Sequence, residues 1–274
     1  MLPQLHHGQD LLPAMVTASG GGHGRVALVT GASRGIGAAC AGALLEDGWQ
    51  VVFAARDTAR TTAAVEACAA NDAQRARALA AAVDVGDPAS VDDLFSIIRS
   101  RYGRLDLLFN NAGVFPPHRP VDEVSDTDWR DAVRTNVDGM FYVMQRAFRL
   151  MKSQRPQGGR IINNGSLAAY APRPESVAYT ATKHAVLGLT RAAALDGRAH
   201  GIAVGQIDIG NAATAMTAHV EGGALQADGS MRPETRLELA HIAATVREIA
   251  RMPNDVNVLS VTILPTTMPF VGRG

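Results

Sequence analysis

Cysteine is scarce in this chain: 274 residues carry two, Cys40 and Cys68. Two unclustered cysteines exclude a disulfide scaffold and a thiolate zinc site, and are read as reduced thiols on helices. Net charge is missing as well, with Lys plus Arg at 26 and Asp plus Glu at 26. Without a basic excess to offset phosphate charge, no nucleic-acid partner is expected. No stretch approaches the roughly 18–20 apolar residues that span a bilayer, so no membrane association is expected. The first 24 residues hold no Lys or Arg, and their apolar run, Leu11 to Val16, is broken by Pro13. The charged and hydrophobic regions of a secretory signal are therefore lacking, and a cytoplasmic protein is expected. The histidines His6, His7 and His23 are not read as a metal site.

What is present is globular: 47% of residues are hydrophobic and 19% charged. The run ASGGGHG at positions 18–24 resists order, so residues 1–24 are read as a flexible leader. Residues 25–274 are read as one domain. Apolar runs at 26–30, 50–54, 79–85, 105–110, 159–163, 202–209 and 258–264 are predicted strands. Helical segments are predicted between them at 38–47, 58–70, 88–102, 126–150, 176–200 and 236–251. The strands are continuously apolar rather than alternating, as in a parallel sheet covered on both faces. The expected fold is α/β, a doubly wound parallel sheet of Rossmann type.

The first strand–helix junction reads Thr30-Gly31-Ala32-Ser33-Arg34-Gly35-Ile36-Gly37. Glycine lets the backbone turn sharply and a pyrophosphate approach, and the helix N-terminus offers unpaired N–H groups. The spacing is wider than G-x-G-x-x-G. TGASRGIG resembles the TGxxxGxG signature of the short-chain dehydrogenases/reductases, a family of nicotinamide-dependent oxidoreductases.

The resemblance extends over residues 25–264. Asp84-Val85, after the third strand, would lie beside the adenine. Asn110-Asn111-Ala112-Gly113 matches the family's NNAG motif, which passes under the adenosine ribose. At the end of the second strand an acid would bind the ribose hydroxyls of NAD. Here Ala55 is followed by Arg56, and Arg34 lies in the glycine loop. Two arginines would pair with a 2′-phosphate, so NADP(H) is expected over NAD(H). Asp57 stands one position late for the NAD role.

Tyr179 and Lys183 are four residues apart on a predicted helix, one turn apart on one face. A free tyrosine has a pKa of about 10, and a neighbouring ammonium favours its phenolate. Ser166 precedes Tyr179 by thirteen residues, at the C-terminal end of a strand where ligands of such sheets bind. Asn136 sits inside a predicted helix, which disfavours asparagine. The family resemblance implies a catalytic tetrad of Asn136, Ser166, Tyr179 and Lys183. Ser166 would hold the substrate oxygen, Tyr179 would move the proton, and Asn136 would order a water relay to Lys183. Tyr179 and Lys183 would also contact the cofactor, with Gly31, Ser33, Arg34, Gly35, Ile36, Gly37, Arg56, Asp84, Val85, Asn110, Ala112, Gly113, Gly210 and Thr214. The implied reaction interconverts a carbonyl and an alcohol. The alternative is a module that senses NADP(H) without turnover.

After the sixth strand the family usually has Pro-Gly and then Thr; this chain reads Asp208-Ile209-Gly210-Asn211-Ala212-Ala213-Thr214. Ile209 replaces the proline, and Asn211 is expected to add a hydrogen bond near the nicotinamide. Residues 215–233 read either as a substrate lid or as an ordinary surface loop. Phe115, Ala168 and Tyr170 are expected to line the substrate pocket. A homodimer or homotetramer, assembled through the helices at 126–150 and 176–200, is implied by the resemblance.

Overall fold

The computed structural model describes residues 22–215, 217 and 222–271. Strand β1 (Val26–Thr30) leads through the glycine turn into helix α1 (Gly35–Glu46), then β2 (Gln50–Ala55), α2 (Thr58–Cys68) and α3 (Asp72–Arg77). There follow β3 (Ala78–Ala82), α4 (Pro88–Tyr102), β4 (Leu107–Asn110), α5 (Asp126–Val133), α6 (Gly139–Ser153) and β5 (Gly159–Asn164). The chain continues through α7 (Val177–Gly197), β6 (Ile202–Ile209), β7 (Ala224–Leu225), β8 (Met231–Arg232), α8 (Leu239–Arg251) and β9 (Ser260–Ile263). The main sheet has the order β3-β2-β1-β4-β5-β6-β9, and every neighbouring pair is parallel. This is the doubly wound α/β sheet expected from the apolar runs.

Successive strand residues feed opposite layers. Ala27 and Val29 join Leu44, Leu45, Phe53, Phe109 and Ile242 in the layer that packs under α1 and α8. Val26 and Leu28 join Leu94, Ile98, Leu108, Val143 and Ile161 under α4 and α6. Burying each such side chain contributes about 1.5–3 kcal/mol relative to leaving it in water. The strand order reverses at β1, which pairs with β2 on one side and β4 on the other. The crevice outside the carboxyl ends of β1 and β4 is therefore the place for a dinucleotide.

Several predicted boundaries move. The stretch 126–150 is not one helix: a π-helical turn, Arg134–Asp138, separates α5 from α6, and it carries Asn136. The third strand stops at Ala82 instead of Val85, because the Asp84 N–H turns to the Ser90 hydroxyl. The last helix begins at Leu239 instead of position 236. Leu237 instead exchanges backbone hydrogen bonds with Asn211 and Ala213. The 58–70 segment ends at Cys68, and α3, capped by Asn71, follows separately.

Most of the leader, residues 1–21, lies outside the described residues. Gly22 belongs to the domain: its N–H donates to the Asp47 carbonyl, and a Cβ there would strike Trp49 at 2.1 Å. Within 215–233, positions 216 and 218–221 lie outside the described residues. The rest contains β7 and β8, an antiparallel hairpin.

Candidate active site

The turn between β1 and α1 is built by packing as much as by backbone freedom. Gly31 and Gly35 take left-handed φ angles of +67° and +56°. A Cβ on Gly37 would stand 2.3 Å from the Gly31 carbonyl oxygen and 2.7 Å from Asn111 Nδ2. The α1 N-terminus has no side-chain cap and no acid in its first turn, so its N–H groups remain open to an anion. Gly37→Ala should force the loop backbone to shift. We expect a rise of at least about tenfold in NADPH Kd together with a lowered Tm, read by cofactor fluorescence and thermal melting.

Across the switch point, Thr30 and two pairs of asparagines stitch strand ends together. The Asn111 and Ala112 N–H groups donate to Thr30 Oγ1 at 2.9 and 3.0 Å, and Asn111 Nδ2 donates to the Thr30 carbonyl at 2.8 Å. Asn164 Nδ2 donates to Asn111 Oδ1 at 2.9 Å, and Lys183 Nζ donates to the Asn164 carbonyl at 2.8 Å. One polar chain thus runs from the glycine turn to Lys183, a buried ammonium on α7. Tyr179 lies one turn before it, with Lys183 Nζ 5.4 Å from its ring centroid. Phe115 packs on the other side of that ring, centroids 4.4 Å apart.

Ser166 follows β5 and starts a 3-10 turn, Leu167–Ala169. Its Oγ accepts from the Ala168 N–H at 3.2 Å. With one lone pair engaged there, the hydroxyl proton is left to donate outward. Its own N–H donates to Asp208 Oδ1 at 2.9 Å. Ser166 thus stands just past the carboxyl end of β5, and Lys183, with Tyr179 one turn before it on α7, is tied to Asn164 at the end of the same strand.

Residues 25–223 match the family described as short chain dehydrogenase. The chain belongs to the short-chain dehydrogenases. It is 36% identical over 178 residues to a protein named 3beta-hydroxysteroid dehydrogenase from Mediterraneibacter gnavus, a match covering 65% of this chain. The chain spans 62% of that relative's length, less than two thirds. Among solved structures, a short chain dehydrogenase from Burkholderia cenocepacia in complex with NADP is 31% identical with a TM-score of 0.75, covering 88% of this chain and 97% of that one. A 3-ketoacyl-(acyl-carrier-protein) reductase from Brucella melitensis complexed with NADH is 25% identical with a TM-score of 0.78, covering 89% and 98%.

Other positions of this short-chain dehydrogenase carry details that sequence did not reveal. Asn136 is buried, and its amide is fully engaged. Oδ1 accepts from the Val114 N–H at 2.8 Å, while Nδ2 donates to the Val114 carbonyl at 2.9 Å and to Thr182 Oγ1 at 3.2 Å. It pins the segment after Gly113 to α7, next to Lys183. Among the described residues no hydrogen bond joins it to Lys183. The Asn110 side chain turns inward to the Met140 carbonyl at 2.9 Å, leaving its main chain to line the crevice. Val85 packs against Gly139, where a Cβ would stand 2.7 Å from Val85 Cγ2. Thr214 faces the glycine turn, its Cγ2 3.4 Å from where a Gly35 Cβ would be, and Gly210 donates to the Ile263 carbonyl.

On the adenosine side, β2 ends at Ala55, and Asp57 caps α2 by accepting the Arg60 N–H at 3.0 Å. Arg34 and Arg56 are exposed, and neither forms an ion pair among the described residues. Asp84 accepts from Arg134 Nη2 at 2.6 Å and from the Gly86 N–H at 3.0 Å. Its partial burial opposes ionisation, yet these two donors and the Arg56 charge hold the carboxyl below its usual value.

Asn211, expected near the nicotinamide, is engaged by protein partners. Its Nδ2 donates to Glu234 Oε2 at 2.8 Å and its Oδ1 accepts from Arg173 at 3.1 Å, so the buried amide fastens two loops. Sequence reasoning assigned no individual role to Thr30, Asn111, Asn164 or Asp208. The available signals were the Asn-Asn pairs closing two strands and an acid inside the apolar run of β6, both against strand preference.

Proposed function

We propose that this protein is an NADP(H)-dependent oxidoreductase that interconverts a carbonyl compound and the corresponding alcohol, with Tyr179 as the general acid/base. The observation that carries this reading is the placement of Ser166 just after β5 and of Tyr179 one turn before Lys183 on α7, with Lys183 joined through Asn164 and Asn111 to the Thr30 carbonyl at the glycine turn. NADPH, when bound, supplies the hydride. Gly31, Ser33, Gly35, Ile36 and Gly37 would cradle its pyrophosphate, a fit supported by the uncapped α1 N-terminus and by the glycine positions where a Cβ has no room. Asp84, Val85, Asn110, Ala112 and Gly113 would flank its adenosine half, and Gly210 and Thr214 its nicotinamide half. The two unpaired arginines, with Asp57 withdrawn into a helix cap, favour the 2′-phosphate of NADP over the bare ribose of NAD.

The proton chemistry belongs to the chain. Ser166 donates to the substrate oxygen, where negative charge grows during reduction. Tyr179 transfers a proton to that oxygen in reduction and takes it back in oxidation. Lys183 places its positive charge beside the phenol and the crevice, and Asn136 holds the turn after Gly113 against α7. Phe115, Ala168 and Tyr170 would form the substrate wall, with the β7–β8 hairpin, from the segment read as a lid, as the proposed cover.

The deciding experiment follows NADPH and NADH in parallel: fluorescence on binding, then oxidation against a panel of ketones and aldehydes. Turnover with NADPH preferred is the expected result. Binding with no turnover on any carbonyl would overturn the catalytic reading in favour of a sensor.

The protein is proposed to act as a homodimer or homotetramer. Trp129, Phe141, Val177 and Leu195 are exposed on α5, α6 and α7, a loss of apolar surface to water that association would relieve. Light scattering should return a mass of two or four chains. Free thiols at Cys40 and Cys68 suit the reducing cytoplasm proposed as its compartment. No helix among the described residues is long and apolar enough to cross a membrane.

A further inference from the structure

Asp208 lies in β6 with no exposed surface, and it forms no ion pair among the described residues. Its partners are neutral. Oδ1 accepts from the Ser166 N–H at 2.9 Å, and Oδ2 from the Tyr170 hydroxyl at 3.0 Å. The Gln206 amide donates to both oxygens, at 2.8 and 2.9 Å. The Ser260 hydroxyl completes the set at 3.4 Å. Both oxygens act as acceptors, and no cation is among these partners. Withdrawing a carboxylate from water without a cation is unfavourable, and an apolar side chain of similar size would avoid the penalty.

The surroundings are shaped to keep it. A Cβ on Gly165 would stand 2.1 Å from Asp208 Oδ1 and 2.9 Å from Gln206 Nε2. Gly165 has no left-handed φ, so it is glycine for room and not for backbone freedom. Both loop residues that the carboxylate grips border the reacting centre. Ser166 is the proposed donor to the substrate oxygen. Tyr170, proposed for the substrate wall, is 43% exposed as a residue while its hydroxyl donates to Asp208.

We infer that Asp208 is a positioning residue for this site: it fixes the Ser166 backbone and ties down the Tyr170 hydroxyl, so that the serine donor and the tyrosine ring face the substrate in one geometry. The inference rests on the oxidoreductase reading of the same site. Asp208 touches neither substrate nor cofactor in this role. With its O–H committed to Asp208, Tyr170 offers the substrate ring carbon and no free donor, which favours an apolar group beside the carbonyl.

The test is Asp208→Asn, measured in wild-type and Ser166→Ala backgrounds, with NADPH fluorescence titrations alongside. The expected result is a kcat lowered by about tenfold to a hundredfold with NADPH Kd unchanged, because a misplaced donor costs rate and not cofactor affinity. In the Ser166→Ala background the same substitution should cost almost nothing further. Equal losses in both backgrounds, or full kcat in Asp208→Asn, would overturn the inference. Tyr170→Phe, at a partly exposed ring, tests the second arm without disturbing the core. It should raise substrate KM severalfold and move kcat less than Asp208→Asn does; an unchanged KM would overturn that arm, whether or not Asp208→Asn folds. An inactive wild type would overturn the parent reading and this inference with it, whereas an active wild type with an unaffected Asp208→Asn overturns the inference alone.

Discussion

Replacing Tyr179 with phenylalanine should lower kcat by about 10²–10⁴-fold, the range that a positioned acid–base group supplies, while leaving NADPH binding intact. The substitution removes one oxygen and keeps the ring. Packing against Phe115, at 4.4 Å between centroids, survives, as does the Lys183 hydrogen bond to the Asn164 carbonyl. The glycine turn and its tie through Asn111 and Asn164 are untouched. What disappears is the phenol hydroxyl proposed to move the proton, on a ring whose centroid is 5.4 Å from Lys183 Nζ. Steady-state kinetics with the best carbonyl of the panel, set beside a fluorescence titration, separates the two effects. A variant that keeps a tenth or more of wild-type kcat would end the assignment of Tyr179 as the proton donor. One that loses NADPH affinity to the same degree would show the phenol to be a binding group instead.

The second large effect is expected at the other end of the crevice. Arg34→Ala combined with Arg56→Ala should reduce the preference for NADPH over NADH in kcat/KM by about a hundredfold. A hydrogen bond to a charged group contributes about 1.5–3 kcal/mol, and each 1.4 kcal/mol is tenfold. Both arginines are exposed, so screening by salt places the sum near the low end. The NADH parameters should stay nearly constant, since its ribose carries no phosphate to lose. Raising ionic strength should erode the wild-type preference and leave that of the double variant flat. An unaltered preference in the double variant would remove both arginines from the phosphate site. A wild type that prefers NADH would point instead to the carboxylates nearby, despite the commitment of Asp57 to its helix cap.

How far the sequence could be read depended on the distance over which each feature is built. The parallel sheet was legible because each strand is a local apolar run, and so was the glycine turn, whose parts lie within eight residues. Helical spacing put Tyr179 and Lys183 on one face, and the resemblance, not the spacing, implied their catalytic pairing. Ser166 and Asn136 were assigned to the proposed tetrad by resemblance, and what they touch was not visible. Asn136 looked like a helix defect. It is a π turn shaped by a bond to the Val114 backbone, 22 positions away. The partners of Asn211, Arg173 and Glu234, were not visible because they are 38 and 23 positions distant and come from two different loops. Asp208 was quoted only as the residue before the missing proline. Its contact with Ser166 crosses 42 positions and two strands, a pairing that no periodicity encodes. The start of α8 was misjudged for the same reason: Leu237 is claimed by Asn211 and Ala213 before the helix can take it.

The two packed layers of the sheet divide the labour of the crevice. The phosphate turn opens α1, whose Leu44 and Leu45 belong to one layer, while Tyr179 and Lys183 ride on α7, whose Ala193 belongs to the other. The layers are bridged at this edge by the short relay of Thr30, Asn111 and Asn164. Catalytic alignment is thus a measurement the molecule makes of itself. Any slip between its two halves should register as lost turnover while each half is still folded, making the enzyme's own activity a finer gauge of its integrity than helix content.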